Sequence, residues 1–242
     1  MLAEDIIKVI EKFAPKDLAI EGDNVGLLFG REDREVEKIG IALDCSLMVL
    51  EKAYKLDIDF LFTHHPILKN PVNRFTNIIY KKLKLLADKD IVLYTAHTNL
   101  DICKNGLNDT LAEFFNLKDV EPLYDNGLGR VGIFENSFDE FLNLVKELEK
   151  NYVLVKSKEI KDNFKLAVLS GYGLSQKDIE YVSNKADVYL SGDLTHHSKI
   201  LAEELKLVVV DATHYSTEVL GLKKVKEYLE NKLNKKIISL DF

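Results

Sequence analysis

The sequence predicts an α/β protein made of two pseudo-symmetric α/β lobes, each a mostly parallel or mixed sheet covered by helices. Short, continuously apolar segments alternate with helical segments, which is typical of strands buried on both faces. The same order of segments recurs in the second half of the chain. With 242 residues, of which 46% are apolar, the chain can bury one sizeable core or two smaller ones.

The first half reads as helix, loop, and then alternating strands and helices. Residues 2–13 predict a helix because Ile6, Val9, Ile10 and Phe13 recur at helical spacing, and Pro15 ends it. The elements predicted after it are a glycine-rich loop at 21–30, strands at 39–44, 59–65 and 91–98, and helices at 46–55 and 76–87.

The second half repeats this pattern, which indicates an ancient duplication. KLAVLSG (165–171) corresponds to KIGIALD (38–44), DVYLSGDLTHH (187–197) to DFLFTHH (59–65), and LVVVDATHYSTE (207–218) to IVLYTAHTNLD (91–101). In both halves the second strand leads into Thr-His-His. We predict an N-terminal lobe at 1–126 and a C-terminal lobe at 127–242, with no inserted middle domain. The segment 127–155 reads as strand, helix, strand and joins them.

Composition excludes several classes of protein. No run of about 18 apolar residues appears, so no membrane span is expected. The N-terminus lacks the features of a signal peptide, which predicts a cytoplasmic protein. The net charge of −7 disfavours a general electrostatic grip on DNA, although lysines cluster at 81–84 and 223–226. Cys45 and Cys103 are too few for a disulfide framework.

The histidines carry the main functional signal. A lone histidine after an apolar strand is more often structural, but six of them confined to predicted strand ends favour metal binding. They are His64, His65, His97, His196, His197 and His214.

Two carboxylates stand four residues after a histidine. Asp101 follows His97 and Glu218 follows His214, so each pair shares one face if a helical turn begins there. The alternative for the first pair is that Asn99 and Asp101 cap that turn. Two such pairs together with His64-His65 predict a metal site.

The remaining pair, His196 and His197, follows Gly192 and Asp193. The glycine frees the backbone near the strand end, and Asp193 can orient a histidine by accepting its ring proton. We interpret His196 and His197 as substrate-binding residues that hold an anionic group.

Six motifs occur in the order that is characteristic of one family. They are DNVGLLFG (23–30), LFTHHPILK (61–69), AHTNLD (96–101), GLGRVG (127–132), SGDLTHH (191–197) and ATHYSTEVLGL (212–222). The chain thereby resembles the NGG-one-interacting-factor-three-like family, whose members are named GTP cyclohydrolase 1 type 2 homologues. The resemblance implies two metal ions per subunit, a two-lobed subunit and a homohexameric ring. The ligands that it implies are His64, His65, Asp101, His214 and Glu218, with Glu218 as the bridge and His97 close behind.

The chemistry that follows is hydrolysis, because two divalent ions activate water and stabilise a developing oxyanion. On this hypothesis the substrate is a nucleotide such as GTP and His97 shuttles a proton. Nitrogen and oxygen ligands without thiolate suit Zn, Fe, Mn, Co or Ni. The alternatives are a ring-shaped protein that binds DNA or another protein and uses the metals structurally, and a protein that stores or delivers metal.

Overall fold

The computed structural model describes all 242 residues and contains two mixed sheets, each covered by helices. The predicted α/β class is therefore confirmed. The chain divides into two compact units, which comprise Met1–Lys104 with Leu222–Phe242, and Asn105–Gly221. None of the helices combines the length and apolar character that a membrane span requires.

The first unit contains a five-stranded sheet in the order β1-β4-β3-β2-β11. Strands β2, β3, β4 and β11 run parallel, and β1 is antiparallel to β4. The strands are β1 (Gly26–Phe29), β2 (Ile39–Ala42), β3 (Phe60–Thr63), β4 (Val92–Thr95) and β11 (Ile237–Ser239). The helices of this part are α1 (Ala3–Phe13), α2 (Leu47–Lys55), α3 (Asn77–Asp88) and α4 (Thr98–Ile102).

The second unit contains a six-stranded sheet in the order β5-β6-β8-β9-β10-β7. Strands β8, β9 and β10 run parallel, while β5, β6 and β7 pair antiparallel with their neighbours. The strands are β5 (Lys118–Pro122), β6 (Arg130–Phe134), β7 (Val153–Val155), β8 (Phe164–Tyr172), β9 (Val188–Gly192) and β10 (Val208–Asp211). The helices are α5 (Leu107–Phe114), α6 (Phe138–Leu148), α7 (Gln176–Ser183), α8 (His196–Glu204) and α9 (His214–Leu233), and α9 ends in the first unit.

The predicted internal repeat is visible in the strand orders. The order β1-β4-β3-β2 in one sheet matches β7-β10-β9-β8 in the other, with the same parallel and antiparallel pairings. The segment 21–30, predicted to be a loop because it is rich in glycine, therefore contains a strand, β1. Its counterpart β7 belongs to the segment 127–155, whose predicted strand, helix and strand are all present.

The boundary between the units differs from the predicted one at 126/127, which lies inside the second unit. Long-range strand pairing explains the difference. Strand β5 pairs with β6, and the C-terminal β11 returns to pair with β2 of the first sheet.

The central strands of the second sheet, β8, β9 and β10, are buried on both faces, which accounts for their continuously apolar sequences. Leu166 and Val168 of β8 pack into one apolar cluster, whereas Ala167 and Leu169 pack into another. Four helices, α2, α6, α7 and α8, begin at polar caps whose hydroxyl groups accept a backbone N–H. These caps are Ser46, Ser137, Ser175 and Thr195.

Candidate functional site

In the first unit, His64 and His65 follow β3 directly. The end of β3 is tied to that of β4 by a 2.8 Å hydrogen bond between the hydroxyl groups of Thr63 and Thr95. Beyond this point the alternation of side chains stops, and the two imidazole rings lie side by side with centroids 5.0 Å apart. His64 is completely buried.

His97, which follows β4, joins the same cluster. Its ring centroid lies 5.1 Å from that of His64 and 5.6 Å from that of His65. One ring nitrogen from each of the three histidines lies within 4.8 Å of the others. The resemblance implied a position for His97 close behind the ligands, and the structure brings its ring as close to that of His64 as the ring of His65 is.

Asp101 lies on the short helix α4 with its carboxylate toward this cluster. It is 7% exposed, and its Oδ1 lies 3.8 Å from Nε2 of His64, beyond hydrogen-bonding distance. Asn99, inside the first turn, accepts a hydrogen bond through Oδ1 from the backbone N–H of His97, the N-cap residue, at 2.9 Å. Asp101 therefore faces the histidines and does not cap the turn.

The three histidines share one arrangement, in which Nδ1 contacts an oxygen atom of the protein. The partners are the carbonyl oxygen of Ala96 for His64 (3.0 Å), Asp44 for His65 (2.9 Å) and Asp23 for His97 (2.9 Å). Such contacts fix the ring and direct Nε2 toward a ligand. Sequence reasoning missed Asp44, although its signal was visible as an acid that directly follows an apolar strand.

Asp23 is held as an anion beside His97. Burial alone would raise the pKa of Asp23, but hydrogen bonds from His97 and Thr98 outweigh it and hold the pKa well below its usual range. Thr98 donates both its hydroxyl and its backbone N–H to this carboxylate, at 2.5 and 3.1 Å. This fixed carboxylate orients the ring of His97 through Nδ1.

In the second unit, His214 and Glu218 lie in the first turns of α9, as their spacing predicted. His214 Nε2 lies 3.1 Å from Glu218 Oε1, and Glu218 is 3% exposed. On the other side of the ring, Nδ1 contacts Asp193 at 2.6 Å. The expectation that Asp193 orients a histidine is confirmed.

The carboxylates around His214 change its protonation. The hydrogen bond with Glu218 raises the pKa of His214 to about 9, against the opposing effect of burial and with a further contribution from Asp193. An imidazole between two carboxylates forms a cluster with net negative charge, which attracts cations.

Two glycines that the sequence did not single out for this role make room for these side chains. A Cβ at Gly171 would lie 2.1 Å from Glu218 Oε1, and one at Gly192 would lie 2.5 Å from the backbone nitrogen of His214. Each glycine follows a serine at the end of its strand, β8 or β9. This repeated Ser-Gly pair is the sequence feature from which the role of the two glycines could have been predicted.

His196 and His197 are placed differently from His64 and His65. They do not end a strand but begin α8, where both side chains are exposed. The strand registers align Thr63 with Ser191, so Gly192 and Asp193 take the places of His64 and His65. The predicted equivalence of the two Thr-His-His motifs is therefore wrong, because two residues, Asp193 and Leu194, separate the second motif from the end of β9. Their contact with a substrate stays a prediction.

The fold and these groups define a two-unit α/β protein with clustered histidine and carboxylate side chains, which are residue types that could hold a metal ion. The chain belongs to the Duf34/NIF3 (NGG1p interacting factor 3) family, whose model matches residues 1–242.

Several known proteins resemble the chain over its whole length. It is 70% identical to the GTP cyclohydrolase 1 type 2 homolog of Methanocaldococcus jannaschii, with all of both proteins covered. A homolog of the same name from Clostridium perfringens is 34% identical, over 97% of this chain and 93% of the relative. The structure of reduced HcgD from Methanocaldococcus jannaschii is 70% identical, with a TM-score of 0.99 over 100% of this chain and 98% of that one.

Proposed function

We propose that the chain is a dinuclear-metal protein that binds two divalent ions through His64, His65, Asp101, His214 and Glu218. The observation that carries this proposal is the shared arrangement of four histidines. His64, His65, His97 and His214 each have Nδ1 against a protein oxygen atom, which fixes the ring and makes Nε2 the nitrogen that would face a metal ion. In His214 this is the nitrogen that faces Glu218.

The carboxylates also fit a metal ion. Asp101 and Glu218 are the least exposed acidic side chains of the chain, and a buried carboxylate is costly unless a cation compensates it. The 3.1 Å between His214 Nε2 and Glu218 Oε1 suits two ligands that are each about 2 Å from one ion. Imidazole and carboxylate without thiolate fit Zn, Fe, Mn, Co or Ni.

The activity that these residues support best is hydrolysis. Two bound divalent ions would lower the pKa of a water molecule and stabilise negative charge on a substrate oxygen. Asp23 orients His97 through Nδ1, so that Nε2 is the nitrogen that would take up and release a proton during the reaction. His196 and His197 are exposed and can hold an anionic group of the substrate.

The substrate class that we propose is a nucleotide, with GTP first. The name shared by the relatives, GTP cyclohydrolase 1 type 2 homolog, supports this choice. A homohexameric ring in the cytoplasm remains part of the proposal.

The alternative, a ring that binds DNA, receives little support from the lysine clusters. Lys84 pairs with Asp88 at 2.6 Å, and Lys226 pairs with Glu230 at 2.9 Å, so part of their charge is compensated within the same helix. Binding to duplex DNA at low salt, with affinity that falls steeply as salt rises, would favour this alternative over hydrolysis.

Elemental analysis of the purified protein tests metal binding. We expect about two ions per chain in the wild type and a clear loss in Glu218→Ala and His65→Ala. His197→Ala is the control, because it removes an exposed imidazole and should keep its metal. A wild type that stays metal-free after reconstitution with zinc, iron and manganese would refute the proposal.

Hydrolysis is tested separately on the metal-loaded protein. Incubation with GTP and other nucleotides is followed by chromatography of the products. Formate is also measured, because hydrolytic opening of the imidazole ring of GTP would release it. We expect turnover that Glu218→Ala abolishes. Metal binding without turnover of any nucleotide would leave a metal protein and reject the proposed hydrolase.

A further inference from the structure

Asp211, the last residue of β10, connects the two loops that hold His214. Its Oδ1 accepts a hydrogen bond from the N–H of Thr213 at 2.9 Å, and its Oδ2 accepts one from the N–H of Leu194 at 3.0 Å. Thr213 precedes His214, and Leu194 follows Asp193. One carboxylate therefore fixes the loop of the histidine and the loop of the carboxylate that orients it.

Both loops adopt backbone conformations that need such support. Thr213 has φ +62° and Asp193 has φ +65°, in the left-handed region, which is unfavourable for a β-branched residue. Further contacts hold Thr213. Its hydroxyl oxygen accepts a hydrogen bond from the Ser216 N–H at 3.2 Å, and its carbonyl oxygen accepts one from the Thr217 hydroxyl at 2.9 Å.

The first unit contains a matching arrangement around His65. Asp241 accepts hydrogen bonds from the N–H groups of Leu43 (2.9 Å) and Asp44 (3.0 Å). Asp44 in turn contacts Nδ1 of His65 at 2.9 Å. In both units an outer carboxylate holds the loop of an inner carboxylate, and the inner carboxylate orients a histidine.

We infer that Asp211 and Asp241 are positioning residues for the metal ligands His214 and His65, a role that rests on the proposed metal binding. Neither is a ligand in the proposed set. Each acts through backbone N–H groups, and a carboxylate can accept two such hydrogen bonds where an amide offers a single oxygen acceptor. Replacing Asp211 by Asn therefore leaves one of the two loops without its acceptor.

The chain offers matched control residues at the opposite ends of the same sheets. Asp187 precedes β9 and accepts a hydrogen bond from the Lys165 N–H at 3.2 Å. Asp59 precedes β3 and accepts hydrogen bonds from the N–H groups of Glu37 and Lys38, both at 2.9 Å. Asp187→Asn and Asp59→Asn remove the same charge from a similar backbone contact, away from the histidines.

The experiment compares Asp211→Asn with Asp187→Asn, and Asp241→Asn with Asp59→Asn. Zn²⁺ is titrated into each metal-free full-length protein against a competing chelator. The histidine ring nitrogens of the metal-free proteins are recorded in long-range ¹H–¹⁵N spectra, and thermal unfolding reports stability.

We expect Zn²⁺ affinity to fall by about tenfold in Asp211→Asn and Asp241→Asn. This is the lower end of the loss seen when a residue that hydrogen-bonds to a metal ligand is removed. The ring signals of His214 and His65, respectively, should shift in the metal-free variants. The two control variants should keep the wild-type affinity and ring signals even if their unfolding temperatures fall.

Unchanged affinity and unchanged ring signals in Asp211→Asn and Asp241→Asn would overturn the inference. Equal losses in the matched controls would also overturn it, because they would indicate general destabilisation. A wild type that does not bind Zn²⁺ would count against the proposed function. The ring signals of the metal-free variants would then still decide whether the two carboxylates position the histidines.

Discussion

Gly171 and Glu218 approach each other so closely that a Cβ at position 171 would lie 2.1 Å from Glu218 Oε1. Gly171 also has φ +72°, so a side chain there is unfavourable for its backbone as well. The metal-ligand carboxylate that we propose therefore depends on the absence of a side chain on a neighbouring strand.

Gly171→Ala should displace Glu218 and lower both metal content and stability. The backbone contribution alone is about 1 to 2 kcal/mol. Gly22→Ala is the control, since Gly22 has φ +83° but no atom within 4 Å of the added Cβ. Elemental analysis and thermal unfolding should show that Gly22→Ala loses stability and keeps its metal. Equal metal content in both variants would contradict the prediction.

Thr213→Asn should stabilise the protein, because asparagine tolerates the left-handed conformation better than a β-branched residue and can also cap α9. The expected gain is about 1 kcal/mol in the free energy of unfolding by denaturant. Thr213→Ser separates the two effects, since it keeps the hydroxyl and removes only the branch. A loss of stability in Thr213→Asn, with none in Thr213→Ser, would show that the hydroxyl contacts outweigh the strain.

Bound metal should stabilise the folded protein, because an unfolded chain does not present the ligands together. A free ion concentration of 100 times Kd adds about 2.7 kcal/mol. Thermal unfolding of the wild type should therefore move to higher temperature when Zn²⁺ is added to the metal-free protein. Glu218→Ala should shift much less, and an equal shift in both would argue that Zn²⁺ binds elsewhere.

His97→Ala should separate proton transfer from metal binding. If His97 shuttles a proton, the variant keeps its metal while nucleotide hydrolysis falls by about 10²- to 10⁴-fold. Metal content and turnover are measured on the same preparation. Loss of metal would instead make His97 a ligand, a role that its ring nitrogen, within 4.8 Å of those of His64 and His65, also permits.

Glu230 should contribute pH-dependent stability away from the site. A hydrogen bond from the Ile237 N–H lowers the pKa of Glu230 below its ordinary value of 4.5, burial opposes this, and Lys226 adds to the lowering. This stabilisation is present above the unfolded pKa and is lost as the pH falls through the lower folded pKa.

Glu230→Gln should therefore be less stable than the wild type near neutral pH, by about 0.5 kcal/mol for a partly exposed ion pair. The difference should disappear at pH values below the folded pKa. Denaturant unfolding of both proteins across this range measures the effect. If the stability difference between the two proteins does not change with pH, it arises from packing and not from the charge of Glu230.

Much of this molecule could be predicted from local patterns in the chain. The strands β2, β3, β4, β8, β9 and β10 are continuously apolar because they are buried, and their repetition predicted the matching strand orders. The spacing of His214 and Glu218 predicted their contact, because residues four apart on a helix share a face. These features depend on residues that are close in sequence.

The tertiary structure decided what depends on residues far apart in sequence. Pairing of β11 with β2 assigns the C-terminal segment to the first unit, and strand register aligns Asp193, rather than His197, with His65. The contacts of Asp44 with His65 and of Asp211 with Leu194 likewise form only when separate strand ends meet. The local sequence determines which side chain is present and on which face of its helix or strand it lies. The distance between two strand ends is set by sheet order and register, which the local sequence does not encode.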